Sequence, residues 1–179
     1  RDHDLLVNYY SRAVTTQNGE AKSQSLDGMK AVLDDFLKPL KKQSGTQRFA
    51  NEPEQFVQGK IRQDDLDAVE LHSLALMLRT LLDNKRLPEA FQQQSHTEAG
   101  SAEQSAVLMI YFLYYEAINS YERSSPELAS TCALEMAGWQ DRYSRIFEVL
   151  SEKGINTKNF KKPVALLHEY QLKVQENSQ

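Results

Sequence analysis

Ten consecutive residues without a charge, AVLMIYFLYY from Ala106 to Tyr115, constrain this chain more than any other feature, because the sequence around them is rich in Lys, Glu, Asp and Gln. At a repeat of 3.6 residues, Val107, Leu108, Met109, Ile110, Phe112 and Leu113 point to every side of a helix, and a helix apolar all round needs neighbours that cover all of it. The run is far shorter than the roughly 20 apolar residues that span a bilayer. The expectation is a buried central helix over about 102–122 in an all-α fold.

Composition agrees with that class. The 179 residues are 40% hydrophobic, enough for one core of ordinary size and one domain over 1–179. Seven glycines and five prolines are few for the tight turns of a sandwich, and no Val, Ile or Thr run alternates at period two. A net charge of −4 offers no broad attraction to nucleic acid, so none is expected as a partner. The single cysteine, Cys132, forms no intramolecular disulfide and favours a reducing compartment such as the cytoplasm.

Helical patterns recur along the chain. Asp4–Thr16 carries an apolar stripe that stops at Asn18-Gly19, and Ser25 reads as the cap of a second helix through Leu37, where Pro39 should break it. Periodicity weakens over 43–63, where Asn51-Glu52-Pro53-Glu54 predicts a short helix carrying Phe56, Val57 and Ile61. A strong stripe follows from Asp64 to Leu82, and Leu87-Pro88-Glu89 opens a short turn bearing Phe91. Residues 92–105 lack any large apolar side chain and read as a flexible connection. Ser124-Ser125-Pro126-Glu127 has capping-box spacing and starts a helix of about 27 residues that stops at Lys153-Gly154. A last helix should start at Pro163. The sum is an irregular bundle of five main helices and two or three short ones, with flexible connections near 43–63 and 92–105 and no internal repeat.

Motifs for chemistry are missing where they would be read. In Asp64-Asp65-Leu66-Asp67 the position that would place a further metal ligand on one helical face is Ala68, and acidic residues at a helix start serve the helix dipole. His3, His72, His96 and His168 have no His, Cys or carboxylate at i+3 or i+4, so no metal or other cofactor is expected, and His72 reads as a satisfied boundary residue. Cys132 aligns with Leu128, Met136 and Trp139 as a core residue with no base beside it. Neither a Gly-x-Ser-x-Gly elbow nor a Gly-rich phosphate loop is present. Gly138, in mid-helix, costs up to about 1 kcal/mol against Ala unless a neighbouring helix needs the space.

What is left is recognition. The expected function is that of a non-enzymatic interaction module of adaptor, regulatory, effector or toxin-neutralising type. It would bind another protein through an inter-helix groove lined by Tyr111, Tyr114 and Tyr115, or through the 48–61 segment with Arg48, Phe49, Phe56 and Ile61, a stretch too long and irregular for a plain connector. The tyrosine rings either gather at such a groove or stand at the core boundary with their oxygens in water. The alternative function is a small-molecule carrier or sensor with a cavity lined by Tyr and Met.

Overall fold

The computed structural model describes residues 19–41, 52–92, 101–155, 169 and 172–177. Its helices are α1 (Gly19–Phe36), α2 (Lys38–Lys41), α3 (Glu52–Asp64), α4 (Ala68–Asp83), α5 (Glu89–Gln92), α6 (Ser101–Ser124), α7 (Pro126–Arg142) and α8 (Ser144–Glu152), followed by a helical stretch at 172–177. The fold is an all-α bundle, with no strand among the described residues. No described helix is long and apolar enough to cross a membrane.

The 24-residue α6 is the axis of the bundle. From Ala106 to Tyr114 no residue is more than 4% exposed. Each large side chain in that run contributes roughly 1.5–3 kcal/mol by leaving water. Helices α3, α4 and α7 pack along α6, α1 lies against α4, and α8 closes one end against α6 and α7. Both α4 and α7 run antiparallel to α6, and therefore parallel to one another: early α4 meets late α6 at His72 and Tyr121, while Tyr114, earlier in α6, meets Arg79 and Glu135.

Local sequence explains most boundaries. Helix α4 opens on a full capping box, with the Asp67 carboxylate accepting from the Glu70 amide at 2.8 Å and the Glu70 carboxylate accepting from the Asp67 amide at 3.4 Å. Helix α8 closes at Gly154, whose φ of 81° is left-handed, and the Ile155 amide donates back to the Leu150 carbonyl at 3.1 Å in a Schellman closure. Pro126 occupies the first turn of α7 as its spacing predicts.

Several expectations need correction. Ser25 is no cap: α1 starts at Gly19, and Ser25 lies buried inside it. Asp64 ends α3 instead of opening α4, because Asp65 turns to a φ of 51° and interrupts the pattern before Asp67 caps. The capping box at Ser124 does not form, since Ser124 Oγ donates to the Ser120 carbonyl and the capping position falls to Ser125, whose side chain makes no cap bond. The 27-residue helix is two helices, broken at Tyr143, where the Tyr143 hydroxyl and the Arg142 guanidinium are both held by Asp83 at the end of α4. The helix expected from Asn51 with Phe56, Val57 and Ile61 is α3, which runs regularly from Glu52, so the irregularity read over 48–61 does not extend past that residue. The helix expected at Asp4–Thr16, the start of that expected at Pro163, and residues 93–100 of the expected connection lie outside the described residues.

Candidate functional site

Two parallel helices on a common neighbour leave a furrow between them, and a connected set of polar side chains crosses it. On α4, His72, Leu76, Arg79 and Asp83 follow one another at helical spacing; on α7, Leu128, Cys132, Glu135, Trp139 and Arg142 do the same. Midway along the furrow, His72 Nε2 lies 2.9 Å from Glu135 Oε2. The floor comes from α6: Tyr114 donates its hydroxyl to the same Glu135 Oε2 at 2.6 Å, and Tyr121 meets His72 Nδ1 at 3.1 Å. Arg79 donates to the Tyr114 oxygen at 2.8 Å. Five residues from three helices thus form one continuous network, and the Asp83 contacts with Arg142 and Tyr143 close the furrow one end further on.

The network centres on an ionised carboxylate. Burial pushes the Glu135 carboxyl up, but the hydrogen bonds from His72 and Tyr114 and the charges of His72 and Arg79 outweigh it and hold the group below the usual carboxylate range. Both of those bonds end on Oε2, and Oε1 takes part in neither. With Glu135 ionised, His72 donates to it through Nε2, and His72 Nδ1 lies within hydrogen-bond distance of the Tyr121 hydroxyl.

Nothing in the cluster is activated as a nucleophile. Burial, reinforced by Cys132, Asp67 and Glu135, pushes the Tyr121 hydroxyl up to about 12. Burial and then the charge of Glu135 likewise raise the Tyr114 hydroxyl and the Cys132 thiol, so all three keep their protons at neutral pH. No group of three or more His, Cys, Asp or Glu placed to hold a metal ion occurs among the described residues. The arrangement holds one carboxylate in a fixed position on the α7 wall of the furrow, partly open to water, the side chains of His72 and Glu135 being 22% and 35% exposed.

The residues expected to bind a partner are dispersed. Tyr111 and Tyr114 are fully buried, which corrects both their placement on a groove surface and the boundary alternative. Tyr111 packs among Phe112, Tyr115 and Phe147, and Tyr114 serves the network from below. Tyr115 is half-buried and stacks on Tyr111 with ring centroids 6.1 Å apart. Phe56 and Ile61, on α3, are partly buried against the core; Phe56 meets Phe36 edge-on at 5.4 Å, with the Lys60 ammonium over both rings. Arg48 and Phe49 lie outside the described residues. The methionines thought to line a cavity, Met77, Met109 and Met136, are packed core residues.

Comparison with protein-family models, with curated proteins and with solved structures finds no match to this chain.

Sequence reasoning found His72 as a satisfied boundary residue but missed Glu135 and Arg79 altogether. One signal was legible: from Leu128 to Gln140 Glu135 is the sole charged residue, and it falls on the same stripe as buried Cys132 and Trp139. A lone carboxylate on an inward stripe needs partners from elsewhere in the fold.

Proposed function

We propose that this chain is a non-enzymatic helical protein-interaction module whose α4–α7 furrow receives a segment of a partner protein. The observation that carries the reading is the state of Glu135: ionised, held in place through Oε2, and keeping Oε1 out of the His72 and Tyr114 bonds. A guanidinium or ammonium from a partner would meet that oxygen in a charge-assisted bond at little cost in ordering, because the carboxylate is already positioned. Apolar contacts stand beside it. Val69, one turn before His72, is 39% exposed, and Leu128, two turns before Glu135 on nearly the same face of α7, is 49% exposed. The partner segment that suits this furrow carries a basic side chain next to aliphatic ones, an anchor with an apolar flank.

Capture from native lysate with lightly cross-linked protein tests the reading. The wild-type chain should recover a near-equimolar companion, and Glu135→Gln and Leu128→Glu should each reduce its recovery at least about tenfold, the equivalent of about 1.4 kcal/mol. Lys30→Glu, on α1, should leave recovery unchanged. Equal recovery by all variants, or a wild-type bait without a companion, would remove the proposal.

A further inference from the structure

The two oxygens of Glu135 are not equivalent. Oε2 accepts from His72 Nε2 at 2.9 Å and from the Tyr114 hydroxyl at 2.6 Å. A carboxylate oxygen carries two lone-pair sites, so both sites on Oε2 are taken, while Oε1 takes part in neither bond. Arg79 donates to the Tyr114 oxygen at 2.8 Å and so brings its positive charge to the Oε2 side of the network.

That asymmetry decides between the two cations a protein partner can offer. Arginine owes its strength on carboxylates to a planar fork that sets parallel N–H bonds on both oxygens at once. Here the fork has one oxygen to meet. Engaging the other would displace the His72 or Tyr114 proton and carry the guanidinium toward Arg79, a like charge. On Oε1 alone, a guanidinium makes one good bond and holds its remaining donors, fixed in a plane, against a part-buried wall. A lysine ammonium is a compact point charge that needs a single oxygen. Its other N–H groups rotate to water, which reaches a carboxylate side chain that is 35% exposed.

The furrow also has a place for the lysine stem. Because α4 and α7 run in the same direction, Val69 and Leu128, which precede His72 and Glu135 in their helices, stand toward the same end of it, and both are exposed. The opposite end is closed by Arg142 and Tyr143 on Asp83. A basic side chain entering from the Val69 and Leu128 end passes its methylenes along apolar groups and reaches Glu135 with its charged tip, the way long cationic side chains bury a stem and keep the head polar.

We propose that the α4–α7 furrow selects lysine over arginine: a partner lysine lays its stem past Val69 and Leu128 and sets its ammonium on Glu135 Oε1. This rests on the furrow being the partner site, as proposed above. His72 and Tyr114 determine the specificity by filling Oε2, which denies the fork its second oxygen.

Three short peptides, identical but for a lysine, an arginine or a norleucine between leucines, test the selection. Each is titrated into the chain near neutral pH while the Glu135 carboxyl carbon is followed by NMR. The lysine peptide should bind at least about fivefold more tightly than the arginine peptide, and the norleucine peptide should leave the carboxyl signal in place. His72→Ala frees one site on Oε2 and should move the ratio at least about threefold toward arginine. Tyr114→Phe frees the other site with the ring kept, and serves the same comparison if His72→Ala does not fold. Equal affinities, a preference for arginine, or a ratio that stays fixed when Oε2 is freed would overturn the selection and leave the furrow reading standing. A Glu135 signal that neither cationic peptide moves would remove the furrow reading and the selection with it.

Discussion

His72 and Glu135 are 63 positions apart in the chain and 2.9 Å apart in the fold. Their contact joins two helices that each pack on α6, and it makes the furrow between them a polar seam with Tyr114 and Tyr121 beneath. The sequence offers the two residues as ordinary members of separate helices. Only their meeting gives either a role.

Removing the carboxylate should therefore cost more than a surface charge. Glu135→Ala leaves His72 Nε2 and the Tyr114 hydroxyl without their shared acceptor in a part-buried place and removes the negative charge near Arg79. The expected loss is about 1–3 kcal/mol in urea unfolding, with Glu135→Gln losing less because an amide oxygen still accepts.

Acid should reveal the same group. The Glu135 carboxyl titrates lower in the folded chain than in the unfolded one, so its contribution is complete above the ordinary carboxylate value of about 4.3 and is lost as pH falls through the folded value. The stability gap between wild type and Glu135→Gln should narrow steadily below about pH 4.3, as followed by denaturant midpoints at successive pH values. A constant gap would mean that the carboxylate is not stabilised by its partners.

The start of α4 rests on Asp67. Asp67→Ala removes the acceptor of the Glu70 amide and one half of the capping box, and should cost about 1 kcal/mol. Asp67→Asn should restore most of it, which separates capping from charge.

Gly154 carries the closing turn of α8 at positive φ, where a side chain is strained even though space is open around it. Gly154→Ala should destabilise by about 1–2 kcal/mol. At Gly138 the same substitution should act in the opposite direction, because that glycine is helical and outward. Thermal melts of the two single variants decide the contrast.

Cys132 is 2% exposed, and burial holds its thiol in the protonated form. Thiol reagents should label native protein slowly and urea-unfolded protein at once. Fast labelling in the native state would contradict the packing of α7 on α6.

Features that act within a turn or two of helix were legible in the residues alone. The uncharged run at 106–115 specified a central helix buried on every side, Pro126 marked the start of α7, Gly154 marked the end of α8, and the stripe through Cys132 put that thiol in the core. These signals are local: periodicity, a fixed proline φ and a left-handed glycine depend on neighbours in the chain. Tertiary structure decided which flanks meet. It broke the long helix at Tyr143, where Tyr143 and Arg142 both meet Asp83, drew Tyr111 and Tyr114 into the core, and joined His72 to Glu135. Such pairings follow from how α4 and α7 are set around α6. That placement is the outcome of burying all faces of α6 at once, which no single stretch of sequence encodes.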